Sequence, residues 1–155
     1  MNFDQAYTKL LGAEGGYTFN QADPGGETKW GISKRSYPNI DIKALTQEQA
    51  KSIYQHDYWM PCQIELLPDD LKFDMFDAAV NSGRVQATKW LQMTVGTAPD
   101  GVIGPKTLAA CRPGLSGRFN GYRLQFMSAL PAWKDFGRGW ANRIAKNLIG
   151  DDNGS

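Results

Sequence analysis

The sequence is poor in the side chains from which metal and redox sites are usually built. It has a single histidine, His56, and two cysteines, Cys62 and Cys111, which lie far apart and form no C-x-x-C pair. A zinc site of histidine and cysteine ligands is therefore not expected, and neither a metal nor a cofactor is predicted. The two cysteines are expected to be reduced, apolar side chains, with a single disulfide between them as the alternative.

Charge of one sign and long apolar runs are also missing. Seventeen basic and 16 acidic residues leave a formal net charge of +1, which excludes strong electrostatic capture of nucleic acid as the main activity. No run approaches the roughly 20 apolar residues of a membrane span, and the first residues lack the pattern of a signal peptide. We expect a monomeric protein that is made in the cytoplasm and does not insert into membranes.

What is present is helical periodicity through most of the chain, which predicts a mainly α fold. Asn2 and Thr46 are placed to cap helices, and Pro105 suits a first helical position. Between the first two helices, Asp23-Pro24-Gly25-Gly26 predicts an irregular segment or a short β ribbon. The predicted helices span residues 3–13, 47–58, 69–82, 84–95, 105–110, 115–130 and 132–149. In the last helix one apolar stripe is expected to pack in the core, formed by Trp133, Phe136, Trp140, Ile144 and Leu148.

Glu14 is the first candidate for acid–base chemistry. It stands where the first helix should end, so the helix dipole disfavours its negative charge, and Gly15 and Gly16 give it little cover. Raising a glutamate pKa from about 4.3 to about 6 requires only roughly 2.3 kcal/mol. Apolar neighbours and the helix end are the means of such a shift. The alternative is an exposed glutamate without a function.

Further polar candidates follow Glu14 in the irregular segment. Cleavage of a glycosidic bond needs an acid, and usually a second group that orients water or stabilises positive charge on the sugar. Asp23 and Thr28 are candidates for this second group, and Glu27 lies beside them. Nine residues from Glu14 to Asp23 reach up to roughly 30 Å when extended, so the spacing permits an encounter. The alternative for Asp23 is a turn residue before Pro24.

Four groups of motifs run in order through nearly the whole chain. The first is Glu14-Gly15-Gly16-Tyr17 with Asp23 to Thr28 and Trp30-Gly31-Ile32-Ser33. Tyr58-Trp59, the segment from Phe76 to Gly83, and the segment from Arg138 to Arg143 follow. This series resembles the glycoside hydrolase family 108 muramidases, which are lysozyme-like endolysins of phages that also occur in bacterial genomes.

The resemblance implies a lysozyme-like helical domain that cleaves the β-1,4 bond between N-acetylmuramic acid and N-acetylglucosamine in peptidoglycan. It also implies that Glu14 is the catalytic acid. The order Glu14, Asp23, Thr28 is similar to the catalytic triad of phage-type lysozymes, although the step from Asp23 to Thr28 is one residue shorter. A separate membrane-permeabilising or export factor would then be needed for the enzyme to reach the wall.

Residues beside these motifs are candidates for binding the sugar. The aromatic candidates are Tyr17, Trp30 and Tyr58, because sugar rings stack their C–H faces on aromatic rings; Trp59 is expected to lie in the core. Asp77 and Asn81 are four residues apart and share a helix face, and we expect them to line the cleft. The alternative for this pair is a solvated helix face.

A second pattern lies further along the chain. Trp90-Leu91-Gln92 followed by the segment from Pro99 to Thr107 resembles peptidoglycan-binding modules with L-Q and D-G-x-x-G-P-x-T. The alternative is a turn at Gly101 and Gly104 that starts a helix and binds nothing. We predict a catalytic region over residues 1–83, a C-terminal helical region over residues 84–150 packed on it, and a loose tail over residues 151–155.

Two other functions stay open at this point. A lytic transglycosylase would act on the same bond with one glutamate, and close the muramic acid 6-hydroxyl onto the anomeric carbon. A catalytically inactive wall-binding or secretion-accessory protein is the other alternative, because members of the resembled family are described as secretion activators.

Overall fold

The computed structural model describes residues 1–12, 16–19 and 26–150. This part of the chain forms helices and one small antiparallel sheet, which confirms the predicted mainly α fold with a short β segment after the first helix. The helices are α1 (Phe3–Leu11), α2 (Gln47–Tyr54), α3 (Asp69–Ser82), α4 (Arg84–Val95), α5 (Pro105–Ala110), α6 (Ser116–Ser128) and α7 (Trp133–Ile149). The strands are β1 (Thr18–Phe19), β2 (Glu27–Lys29) and β3 (Ile32–Ser33).

The chain divides into two compact units, Met1–Pro61 and Cys62–Ser155. The second unit therefore contains α3, whereas the sequence placed α3 with the catalytic region and began the C-terminal region at residue 84. That functional division stays a prediction. The predicted tail, residues 151–155, lies outside the described residues.

In the first unit, α1 begins at the cap predicted from the sequence. Asn2 Oδ1 accepts a hydrogen bond from the Gln5 amide at 2.8 Å, and Gln5 Oε1 accepts one from the Asn2 amide at 2.9 Å. This reciprocal pair satisfies backbone donors that a helix start leaves unpaired. The helix ends at Leu11 because Gly12 adopts a φ of 58°, so Gly12 closes it ahead of Gly15 and Gly16.

The three strands pair antiparallel in the order β1-β2-β3. Trp30 and Gly31 form the two-residue connection between β2 and β3, with φ values of 53° and 76°. Positive φ at both central positions is the requirement of the turn that matches the twist of a hairpin. A Cβ at Gly31 would clash with the Tyr54 hydroxyl, so a larger residue at this position would force Tyr54 to move.

The predicted helix over residues 47–58 is two consecutive structures. Thr46 and Gln49 form the predicted capping box of α2, and a π-helical turn, Gln55–Trp59, continues from its end. Aromatic rings from these elements fill the core of the first unit with those of α1. The Phe3 and Trp59 ring centroids are 5.4 Å apart, and those of Tyr7 and Tyr54 are 5.6 Å apart. Trp59 is buried, as expected.

The second unit is built around α3. This helix is buried on most sides, with Leu71, Met75, Phe76 and Ala79 in the core, and it packs against α4 and α6. The bounds of α3, α4 and α5 are those predicted from the sequence. Glycines with positive φ follow α3 and α4, at 90° for Gly83 and 81° for Gly96.

The apolar stripe of α7 is the element that the sequence misjudged. Ile144 is buried, but Phe136 and Leu148 are 59% and 53% exposed, so the expectation that they pack in the core is wrong. The reason is that α7 packs mainly against a single helix, α6, and its contact line runs through Gly137 and Ile144. A single neighbouring helix covers only part of the helix face on which the five apolar residues lie.

Two further observations concern features that the sequence left open. Cys62 and Cys111 are both free, and burial raises the pKa of the Cys62 thiol to about 11. Among the described residues, no helix has the length and apolar character needed to cross a membrane.

Candidate active site

The two leading catalytic candidates, Glu14 and Asp23, lie outside the described residues. In the sequence, Glu14 stands between the end of α1 and the start of β1, and Asp23 stands between β1 and β2. The other candidates of the first unit, Tyr17, Glu27, Thr28, Trp30 and Tyr58, are among the described residues.

Thr28 occupies the middle of the central strand. It is half-buried, and the strand register places it opposite Thr18 on one side and Ser33 on the other. Directly opposed residues of an antiparallel sheet have their side chains on the same face. The sheet therefore presents a row of three hydroxyl side chains, and Thr28 is at its centre.

Glu27 and Tyr17 belong to the opposite face of the sheet. Side chains alternate along a strand, so Glu27 and Thr28 point to different faces. The Tyr17 hydroxyl donates a hydrogen bond to Glu27 Oε2 at 2.7 Å, and this bond raises the pKa of the Tyr17 hydroxyl. Tyr17 is 37% exposed, so its ring is accessible while its hydroxyl is held in place.

Tyr54 contacts both Trp30 and Tyr58. The Tyr54 hydroxyl donates to the Trp30 carbonyl at 3.3 Å, and the Tyr54 and Tyr58 ring centroids are 6.0 Å apart. The Trp30 indole Nε1 donates to the Leu45 carbonyl at 3.2 Å. Trp30 has a positive φ of 53°, which is unusual for a bulky residue. Strained positions of this kind concentrate at functional sites. Both candidates are half-buried, so each ring is partly accessible.

In the second unit, Asp77 is the centre of a buried ionic network. Its side chain is almost completely enclosed, and two arginines contact it: Arg123 Nη1 donates to Oδ2 at 2.6 Å and Arg143 Nη1 donates to Oδ1 at 2.9 Å. Asn81 Nδ2 and Asn147 Nδ2 donate to the same carboxylate, at 3.0 and 3.1 Å. Each oxygen thus accepts two hydrogen bonds.

This geometry changes the expectation for Asp77. Its oxygens are both occupied and buried, so a role in direct contact with substrate has no accessible atom to act through. Its sharing of a helix face with Asn81 has a structural explanation, because Asn81 Nδ2 also donates to the Asp77 carbonyl at 2.8 Å. Asn81 is exposed, and it remains the sugar-binding candidate of the pair.

A second carboxyl of α3 lies near this network. Asp74 is buried and accepts a hydrogen bond from the Ser116 hydroxyl of α6. Burial raises the pKa of Asp74 to about 6, against the lowering effect of its hydrogen bonds to Ser116 and Asn120. This carboxyl therefore changes charge near neutral pH, although no sequence motif singled it out.

The second sequence pattern has a structural role centred on Gln92. The buried Gln92 amide Nε2 donates to Asp100 Oδ1 at 2.7 Å and to the Val102 carbonyl at 2.9 Å, and its Oε1 accepts from the Gly101 amide at 2.9 Å. Gly101 has a φ of 80°, and a Cβ there would lie 2.9 Å from Val85 Cγ1. These residues hold the turn before α5, which accounts for the pattern without a bound glycan.

Arg123 is the site-forming residue that sequence reasoning missed. It is fully buried on α6, and no motif contains it. From the sequence alone, a buried arginine in a helix cannot be distinguished from an arginine that faces solvent. Arg143 lies inside the fourth motif, but no role was assigned to it. Among the described residues, no cluster of three or more histidine, cysteine, aspartate or glutamate side chains is placed to hold a metal ion.

Comparisons with known proteins agree on one family. The model of the family Glycosyl hydrolase 108 matches residues 7–83, a range that runs from α1 to the end of α3. The solved structure of SagA from Brucella abortus is similar with a TM-score of 0.81 and 34% sequence identity, over 95% of this chain and 91% of SagA. No curated protein sequence gives a significant match. The chain belongs to the glycosyl hydrolase 108 family and has its mainly α, lysozyme-like fold.

Proposed function

We propose that the chain is an N-acetylmuramidase, which hydrolyses the β-1,4 bond between N-acetylmuramic acid and N-acetylglucosamine in peptidoglycan. The observation that carries the proposal is the similarity to SagA over 95% of the chain, combined with a family match whose range includes Glu14-Gly15-Gly16-Tyr17. The family makes the chain a glycoside hydrolase, and the choice of bond is the proposed step.

In the proposed mechanism, Glu14 donates a proton to the glycosidic oxygen as the bond breaks. The sugar then develops positive charge, which a second carboxylate stabilises best in a site closed to water. Asp23 is the candidate for this role, and Thr28 is the candidate for positioning the attacking water. The half-buried Thr28, with Thr18 and Ser33 beside it, supports a hydroxyl role of this kind.

Sugar binding is assigned to the aromatic residues of the first unit. Tyr17 is the leading candidate, since its exposed ring is anchored through its hydroxyl to Glu27. Trp30 and Tyr58 are partly accessible rings linked by Tyr54. Rings that are already held in place lose little conformational freedom when a sugar stacks on them.

The proposal is tested with purified cell walls and the variant Glu14→Gln. Glutamine keeps the size of the side chain but has no acidic proton to donate. The rate of wall clearing is expected to fall about 10²–10⁴-fold, the usual contribution of general acid catalysis. Glu48→Gln is the matched control, because Glu48 is an exposed glutamate at the start of α2. It is expected to retain the full rate.

Two outcomes would contradict the proposal. If folded Glu14→Gln clears walls as fast as the unchanged protein, another group is the acid. If the unchanged protein clears no walls of any composition tested, the chain acts as a wall-binding or secretion-accessory protein.

A further inference from the structure

A pocket of about 440 Å³ lies within the second unit, a size that suits a small ligand. The end of α3 contributes Asn81, α6 contributes Arg123 and Phe126, and α7 contributes Trp140 and Arg143. The turn held by Gln92 does not line the pocket.

The described residues that line this pocket include two arginines and no acidic residue. Asp77 and Asp74 are the carboxyl groups near these arginines, and they lie behind the walls: Asp77 holds both guanidinium groups, while Asp74 bonds to Ser116. Asp77 thus holds the two guanidinium groups together, with Arg143 partly exposed and Arg123 fully buried.

These cations have hydrogen-bond donors to spare. An arginine carries five N–H donors, and Asp77 is the one acceptor that the described residues give to Arg143, whose side chain is 44% exposed. The buried Arg123 has two donor atoms, Nε and Nη2, with no acceptor among the described residues. Buried donors without partners are costly, and they are rare outside sites where something else satisfies them.

Aromatic rings form the rest of the recognition surface. Phe126 is 43% exposed, and its ring is held edge-on to Trp90 at 5.4 Å. The half-buried ring of Trp140 stacks on Phe136 at 5.9 Å with an interplanar angle of 27°. Rings held by other rings offer a fixed apolar surface for the C–H face of a sugar. The pocket therefore combines a sugar platform with two cations.

We propose that this pocket binds the muramyl-peptide part of peptidoglycan, with Arg143 pairing a carboxylate and Trp140 stacking on the sugar. The inference rests on the proposed function for its choice of glycan. Asp77 carries one negative charge against the two arginines. A neutral N-acetylglucosamine unit has no carboxylate to offer the remaining donors of Arg143, whereas a muramyl peptide brings both a carboxylate and an N-acetylated sugar. An arginine pairs a carboxylate through two parallel hydrogen bonds, which gives geometric selection as well as charge.

The test is an NMR titration of the full chain with muramyl dipeptide, and with the same compound in which the free carboxylate is converted to an amide. Because one charge-assisted pair is worth about tenfold in affinity, the amide is expected to bind about tenfold more weakly. Inorganic phosphate is the third probe, and it is expected to compete poorly. Equal binding of the acid and its amide, or equal competition by phosphate, would overturn the proposal.

Variants on α7 locate the site. Arg143→Gln is expected to lose about tenfold for muramyl dipeptide and little for its amide. Arg143→Lys is expected to lie between the two, because it keeps the charge but not the planar pair of donors. Arg138→Gln removes an exposed arginine from the same helix, outside the pocket, and is the control. If Arg138→Gln weakens binding as much as Arg143→Gln does, the site lies elsewhere.

Failure of this proposal and failure of the proposed function give different results. Wall clearing that depends on Glu14, without any binding of muramyl dipeptide, would reject the pocket and keep the enzyme. Binding that depends on Arg143, in a protein that clears no walls, would keep the pocket and reject the enzyme. In an active enzyme, Arg143→Gln is expected to raise the wall concentration needed for half-maximal rate.

Discussion

The side chains proposed for catalysis differ in what each can contribute. Asp23 brings a negative charge, which stabilises an oxocarbenium-like state and also disfavours ionisation of a nearby Glu14. Thr28 brings a hydroxyl that orients water and carries no charge. Glu27 brings a charge, but on the sheet face opposite to Thr28 and already hydrogen-bonded to Tyr17. Asp23 is therefore expected to matter more than its neighbours.

The comparison of Asp23→Asn with Thr28→Ala tests this ranking by the rate of wall clearing. Asp23→Asn is expected to lower the maximal rate more than Thr28→Ala does, with both proteins folded. It is also expected to shift the pH–rate profile to lower pH, because removal of a nearby anion lowers the pKa of Glu14. An Asp23→Asn enzyme with the unchanged rate and profile would leave Asp23 as a turn residue and make Glu27 the next candidate.

Asp77 leads to a prediction about stability. Replacement by asparagine removes the negative charge that the fully buried Arg123 pairs with at 2.6 Å. Leaving one charge of a buried pair uncompensated costs about 3–5 kcal/mol. We expect Asp77→Asn to lower the free energy of unfolding in urea by about this amount, whereas Asp135→Asn, on the exposed side of α7, should change it little. Equal stability of the two variants would show that the network is not structural.

At the scale of elements, Asp74 connects α3 to α6 and makes stability depend on pH. Its pKa is raised from 3.8 to about 6 in the folded protein. Because the folded pKa is the higher one, the folded state binds the proton more tightly. The contribution to stability is complete below about pH 4 and is lost as the pH rises through about 6. The difference corresponds to about 3 kcal/mol, as an order of magnitude.

Asp74→Asn removes this dependence and keeps a polar side chain beside Ser116. Relative to the unchanged protein, the variant is expected to gain stability as the pH is raised from 4 to 7, and to be no more stable at pH 4. Urea denaturation of both proteins across this range gives the difference directly, and other carboxylates cancel in it. A difference that is constant with pH would contradict the assigned pKa.

An element could be predicted well where the residues that determine its ends lie close together in the sequence. Helices with local signals were predicted to the residue, as with α4 between Gly83 and Gly96 and α5 from Pro105. The capping boxes at Asn2 and Thr46 are also local, and they were found. The exposure of the α7 stripe was not predicted. Burial depends on how many neighbouring elements cover a helix, and the periodicity of the sequence does not contain that information.

The candidate site divides in the same way. Thr28 and Tyr17 could be singled out because they belong to the same group of motifs as Glu14. Arg123 could not, because its partner Asp77 is 46 residues away and neither spacing nor composition links them. The hydroxyl row beside Thr28 also depends on strand register, which short strands with few apolar residues specify weakly.

The molecule as a whole is close to electrically neutral, but its charges are unevenly distributed. A net charge of +1 gives no general attraction to an anionic polymer, whereas two arginines line one pocket of the second unit, and none of the described residues on its walls is acidic. Recognition of the wall is therefore expected to depend on this local arrangement. The reaction itself is assigned to the first unit, where Glu14, Asp23 and Thr28 lie in the sequence.

A muramidase cleaves the glycan strand so that each new reducing end is N-acetylmuramic acid. Mass spectrometry of the soluble fragments released from purified peptidoglycan, after reduction of their new ends, tests it most directly. We expect fragments that end in reduced N-acetylmuramic acid and that Glu14→Gln fails to release. Fragments with anhydro-muramic ends, each lighter by one water, would identify a lytic transglycosylase. Fragments that end in N-acetylglucosamine, or no fragments at all, would contradict the assignment of this bond.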